Sequence, residues 1–242
     1  MLPSWRTAAV AAAICALVLP GAACTGQSAA GEQADLADLS RSDSTEQDRG
    51  NARVRAHDTA EVFVRAAEGL KRGISGAEDV CTRGPDHWLM SCTIDSYHYY
   101  GADGDLPGLL RSVADAGAKA GVGMPQDQRR IGSLGYALDY YERDGKKPDG
   151  SVMEPPFLGV PGGRGGVIRW DDPLGERLPE PGGDRYDDGK GLYRDRKVIP
   201  GEVRVNGRYR QVKSLTAMRR HYDTIVVWEA APDRYGRWQR GD

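Results

Sequence analysis

The chain has 242 residues, of which 39% are hydrophobic and 28% charged, and its formal net charge is -2. Those proportions belong to a water-soluble globular protein. A balance so near neutrality supplies no basic footprint of the kind nucleic acid requires, so no nucleic-acid partner is expected.

Arg6 is the only charge ahead of an apolar run from Thr7 to Leu19, after which come Pro20, Gly21, Ala22, Ala23 and Cys24. A cationic start, an apolar stretch and a cluster of small residues are the parts of a secretory signal peptide, and the run falls short of the ~20 residues of a spanning helix. Because the small residues end at a cysteine, segment 1–24 resembles the signal of bacterial lipoprotein precursors. The resemblance implies a diacylglycerol on the Cys24 sulfur, removal of residues 1–23, and an extracytoplasmic protein anchored to the cell membrane by lipid. That family usually has Leu or Val three positions before the cysteine, where this chain has Gly21. Gly21 and Ala23 also suit an ordinary signal peptidase, so secretion in soluble form is the alternative.

Residues 24–58 follow as a unit. Thr25 to Asp58 holds no aromatic residue and carries 7 acidic against 4 basic side chains. Such a segment has too little apolar surface to offset its ordering entropy and reads as a disordered tether. Its r.m.s. reach would be roughly 30 to 35 Å.

The first folded unit is expected over residues 59–144. Asp58 and Glu61 make a capping box, and Phe63, Ala66, Ala67 and Leu70 recur at helical spacing, which predicts a helix over 59–72 ended by Gly73. Strands follow over Val80 to Arg83 and Leu89 to Tyr100. Cys15 leaves with the signal and Cys24 takes the lipid, so Cys81 and Cys92 remain as an even pair in an oxidising compartment, where a disulfide is expected. Facing each other in an antiparallel ladder, they pair Gly84 with Leu89 and leave Pro85 to Trp88 as a hairpin loop. Closing that loop contributes roughly 2.5 to 3 kcal/mol in the chain-entropy model. A second helix is predicted from Asp105 as cap through Leu106, Leu109, Leu110, Val113 and Ala116, stopping at Gly121. Ile131 to Arg143 fits either a helix or a strand running into Asp144-Gly145.

Residues 145–195 read as a loop or linker. Gly145 to Gly191 contains 12 Gly and 7 Pro in 47 residues, a density that favours irregular structure, interrupted by a short apolar run at Gly166 to Trp170. Residues 196–242 read as β-rich and packed on the same domain. Asn206-Gly207 between Val203–Val205 and Tyr209–Val212 predicts a tight hairpin, Ser214 to His221 a short helix, and Thr224 to Trp228 a buried central strand. Pro232 to Gly236 is expected to turn that strand back into a last one around Trp238. The expected fold is therefore α+β: two helices around a disulfide-stapled β-hairpin, a long Gly/Pro-rich irregular segment, and a C-terminal antiparallel β region.

Few residues carry recognisable chemistry. Neither HExxH nor GxSxG occurs, no Walker lysine follows a Gly-rich run, and no cofactor is expected. Asp184, Asp188 and Asp195 fall at positions 1, 5 and 12 of a calcium-type loop, but Tyr186 and Gly191 break its pattern, and a solvated acidic turn is the better reading. His98, with Asp95 nearby and His221 further on, is the weak catalytic candidate set. Tyr97, Tyr99 and Tyr100 form an aromatic strand that could bind a ligand. The sequence thus points to an envelope protein that binds an unknown ligand or protein without catalysis; the alternative is a hydrolase acting on envelope material.

Overall fold

The computed structural model describes residues 29–67, 69–84, 88–119, 125, 130–160, 166–181 and 191–239. Its helices are α1 (Ala29–Leu39), α2 (Asp43–Ala66), α3 (Leu106–Lys119), α4 (Leu134–Glu142) and α5 (Leu215–Met218). Its strands are β1 (Lys71–Arg83), β2 (Trp88–Ala102), β3 (Leu158–Val160), β4 (Gly166–Trp170), β5 (Gly191–Ile199), β6 (Gly201–Val205), β7 (Arg208–Val212), β8 (Thr224–Ala230) and β9 (Asp233–Gln239).

An antiparallel sheet in the order β3-β4-β8-β2-β1-β5 carries the fold, and β9 also pairs with β2. The predicted hairpin register holds: Cys81 lies opposite Cys92, the two are joined by a disulfide, and the Gly84 N–H donates to the Leu89 carbonyl at 3.2 Å. Residues 85–87 of its loop lie outside the described part. Strand β1 is longer than expected, and Gly73 sits inside it rather than ending a helix. The start of β6 crosses it there so closely that a Cβ on Gly201 would come within 2.3 Å of the Gly73 carbonyl carbon.

Strand β2 has β1 along its whole length on one edge, while β8 and β9 share the other edge in series. β8 pairs with Tyr97–Ala102 and β9 with Trp88–Ile94, both antiparallel. The turn expected at Pro232 is therefore a break in one continuous path, since β9 runs on in the direction of β8. Proline has no N–H to give to a ladder, so pairing lapses beside it and resumes at Asp233.

Side chains alternate between the two faces of the sheet. On one face Tyr100, Val226, Trp228, Ile168 and Trp170 are covered by Phe63 of α2 and by α3 and α4. On the other, Ile74, Tyr99, Ile225 and Val227 are covered by the β6–β7 hairpin and α5. Asn206 and Gly207 take positive φ of 50° and 77°, as the tight turn between β6 and β7 requires. The Ile131–Arg143 ambiguity resolves as helix α4, with Ser133 capping it by accepting from the Tyr136 N–H at 3.1 Å. Helix α3 is capped as expected, the Asp105 carboxylate accepting from the Gly108 N–H at 2.7 Å.

Described parts of the Gly/Pro-rich stretch are tied into the domain by two adjacent aspartates. Asp172 accepts from the hydroxyls of Tyr140 (3.2 Å) and Tyr141 (3.0 Å), and Trp170 Nε1 donates to Tyr141 at 2.6 Å. Asp171 accepts two bonds from the Arg219 guanidinium, each at 2.7 Å, and one from the Leu178 N–H at 2.9 Å. Charge-assisted, two-pronged pairing of this kind holds a loop as firmly as an element.

The largest departure from expectation is at residues 29–58, where the tether was expected and helices stand. Ser42 caps α2, 16 positions before the predicted Asp58 cap, and both Asp58 and Glu61 lie within the helix. The physical cause is a buried ion pair. The Arg49 side chain is fully buried; its Nε donates to Asp79 at 2.5 Å and its Nη2 to the Ser40 carbonyl at 3.0 Å, with Glu46 on Nη1. Its Cζ lies 4.0 Å from the Tyr193 ring centroid, and the Tyr235 hydroxyl donates to the far oxygen of Asp79. Leu36 of α1 packs beside it against Cys81, Met90 and Cys92.

Removing one member of a buried pair strands the other. Arg49→Ala should cost roughly 3 to 5 kcal/mol of unfolding free energy, and the double change Arg49→Met with Asp79→Leu should cost less than Arg49→Ala alone. Urea titration checks both; a loss below about 1 kcal/mol for Arg49→Ala would show that the pair does not hold α2 down.

Candidate functional site

Helix α2 crosses the sheet with large inward side chains only at its two ends. Arg49 anchors one end, and Phe63 the other, its ring 4.4 Å from Trp228 and 6.3 Å from Tyr100. Between them the inward positions are Ala52, Ala56 and Ala60, spaced at helical repeat. Methyl groups cannot reach the sheet surface, so space is left on both flanks of the helix. One cavity of about 300 Å³ opens toward β5 and is lined by Arg53, Val54, Ala77, Lys197 and Ile199 among others. A second, of about 340 Å³, opens toward the break between β8 and β9 and is lined by Arg55, Thr59, Ala230 and Pro232. Ala56, Ile94 and Ser96 line both, so the two cavities adjoin at these residues.

The strand register arranges the floor in rows. Lys197, Ala77 and Ser96 lie side by side across β5, β1 and β2, and Ile199, Ser75 and His98 form the next row. Three polar atoms here are buried with no hydrogen-bond partner in the protein: Ser96 Oγ, His98 Nε2 and Arg53 Nε. Ser96 is only 6% exposed. A buried donor or acceptor left unpaired costs about 1 to 3 kcal/mol, so three together at one cavity mark a place built to meet something. Burial lowers the His98 pKa to about 4, with His57 and Arg72 acting in the same direction and Glu61 against it. The imidazole is therefore neutral at physiological pH.

The catalytic set suggested by sequence is not assembled. Three positions apart on one strand, Asp95 and His98 point to opposite faces of the sheet, as strand alternation requires. His221 is exposed after α5, the helix that covers the face away from α2. Ser96 and His98 do share the cavity face, about 6.6 Å apart along the strand, but no hydrogen bond joins them, so the serine has no base. The three tyrosines do not share one face: Tyr100 belongs to the core under Phe63, and Tyr99 is buried on the opposite face, where its ring lies 5.7 Å from that of the half-buried Tyr97. Among the calcium candidates, Asp184 and Asp188 lie outside the described residues. Asp195 is occupied by Arg53 at 2.9 Å, and among the described residues no three His, Cys, Asp or Glu side chains are placed to hold a metal ion.

Of the residues at the site, sequence reading singled out His98 alone. Ser96, Lys197, Arg53 and the alanine row of α2 carry no motif. The one available signal was the 3-and-4 spacing of Thr45, Arg49, Ala52, Ala56, Ala60, Phe63 and Ala67, all at inward positions, and its mixed chemistry hides it.

A neutral, buried His98 makes a pH-dependent prediction. Its pKa is lower in the folded state than in the unfolded chain, so between pH 6.5 and about 4 the unfolded state binds the proton and stability falls as pH falls. The contribution lost on going from pH 7 to pH 4 is roughly 3 kcal/mol. Urea titrations at a series of pH values should show His98→Gln losing that much less stability than the wild type; parallel pH profiles would mean that His98 is solvated. The chain matches no protein-family model, and neither the curated proteins nor the solved structures hold one similar to it.

Proposed function

We propose that the protein is exported to the cell envelope, is held at the membrane by a lipid on Cys24, and binds a small amphipathic molecule beneath α2 without transforming it. The observation that carries the binding reading is the pair of adjoining cavities beside α2, with Ser96, whose Oγ is unpartnered, in the lining of both. At about 300 and 340 Å³ they match the lower end of the size range of ligand sites, about 300 to 1,000 Å³. The first has the usual composition of such sites, apolar walls with a few convergent polar atoms. The anchoring reading is supported by the signal-like segment ending at Cys24 and by the Cys81–Cys92 disulfide, which suits an oxidising compartment. Among the described residues no helix is long and apolar enough to cross a membrane.

Two experiments separate the two halves of this reading. Mass spectrometry of the mature protein from its host should find a diacylglyceryl group on an N-terminal Cys24, absent from the Cys24→Ser variant; an unmodified N-terminus beyond residue 24 would overturn the anchor. For binding, Ala56→Leu places an isobutyl group at a position that lines both cavities. That variant should be more stable than the wild type by about 1 kcal/mol, through filling of the cavity, and should bind 1-octanol at least tenfold more weakly by calorimetry. Unchanged octanol affinity in a folded Ala56→Leu protein would refute the site.

A further inference from the structure

Resting on that reading of the cavity, we propose that its occupant is a single-chain amphiphile with an anionic head, the head seated over Ala77 between Arg53, Ser96 and Lys197 and the tail lying against Ile94, Ala56, Val54 and Ile199 of the same chamber.

The floor row places the three groups. Ala77 is flanked by Ser96 on β2 and by Lys197 on β5, each one strand away, so both side chains rise on either side of a methyl-floored gap. Arg53 approaches the same gap from α2 and lines the same chamber. Its Nη2 is taken by Asp195 at 2.9 Å, with Asp79 at 3.7 Å, which leaves the buried Nε–H unpartnered. Charges around the gap are matched with one exception. Arg49 faces Asp79 and Glu46, Arg53 faces Asp195, and Lys197 has no ion-pair partner among the described residues.

What these groups ask for is an acceptor. Arg53 Nε and Lys197 Nζ can only donate, and the Ser96 hydroxyl is free to. A carboxylate-like anion is acceptor-only and takes several such bonds at once, and charge-assisted bonds are the stronger kind. A neutral hydroxyl head would satisfy Ser96 and leave Lys197 without a counter-charge; a cationic head would meet Arg53 and Lys197 with like charge.

Beside the gap the lining of the same chamber is apolar, with Ile94 and Ala56 toward the helix. The second chamber, lined by Arg55, Thr59, Asp233 and Arg234 as well as Ala230 and Pro232, is charged, with Arg55 paired to Asp233 at 2.8 Å. At the other end Val54 and Ile199, 59% and 50% exposed, form apolar lips around the mouth by which a tail would enter. Taking the ~30 Å³ occupied by a water molecule as the measure of one heavy atom, the first chamber holds on the order of ten.

The test compares three probes that share an eight-carbon tail: octanoate, 1-octanol and octyltrimethylammonium, titrated calorimetrically into the purified protein at pH 8 and low salt. Octanoate should bind at least tenfold more tightly than octanol, and octyltrimethylammonium more weakly than either. Lys197→Met should bring octanoate down to the octanol affinity while octanol itself changes less than twofold. Equal affinities for octanoate and octanol in the wild type, or a preference that survives Lys197→Met, would overturn the anionic head and leave the cavity standing. Failure of all three probes would overturn the head assignment and the cavity together.

Discussion

Arg49 brings a full charge to a place with no solvent contact, and that charge has to be answered. The answers come from separate parts of the chain: Asp79 from β1, the Ser40 carbonyl from the turn between α1 and α2, the Tyr193 ring from β5, and from β9 the Tyr235 hydroxyl, which accepts from Arg49 Nε at 3.2 Å and donates to Asp79. Stripping water from the carboxylate pushes the Asp79 pKa up, against the pull of Tyr235 and Arg49. A pair under such tension adds modestly to net stability, but it is intolerant of displacement, because any shift leaves a buried charge unmatched. Its role is therefore one of placement. It fixes where the N-terminal half of α2 crosses the sheet, and with Phe63 at the other end it fixes the whole helix.

That placement explains why a void exists at all. A helix pinned by ordinary core packing along its length would settle until its side chains met the sheet, since interiors are packed to crystal-like density. Here the two ends set the standoff and the three alanines between them cannot fill it. Thermodynamically the arrangement forgoes the burial energy of two or three larger side chains, on the order of 1.5 to 3 kcal/mol each. A sequence that gives up that much stability in one stretch, and leaves Ser96 Oγ, His98 Nε2 and Arg53 Nε unpaired beside it, breaks local rules in the manner expected of a functional site.

Much of the sheet was legible from residues alone, because its signals are local. The cysteine register followed from treating Cys81 and Cys92 as opposed, Asn206-Gly207 announced its turn, and the run Thr224–Trp228 read as the buried strand it is. Asp95 against His98 was also decidable, since strand period alone puts them on opposite faces. The N-terminal helices were not legible. Thr, Arg and three Ala stand at the inward positions of α2, so its core-facing stripe looks like the composition of a disordered linker, and its stability comes from contacts with strands 30 and more residues away. The site was hidden for a related reason. Lys197 and Ser96 are separated by about a hundred positions in the chain and become neighbours only through the pairing of β5 with β1 and of β1 with β2.

The helices at 29–66 also change the mechanics of any anchor at Cys24. A free segment up to Asp58 would have let the domain roam tens of ångströms from its attachment point. With α1 beginning at Ala29, five peptide steps span the gap, no more than about 18 Å even when fully drawn out. Ordered helix then runs directly into the element that roofs the cavity. A lipid at Cys24 would thus hold the folded domain on a short lead rather than a long leash.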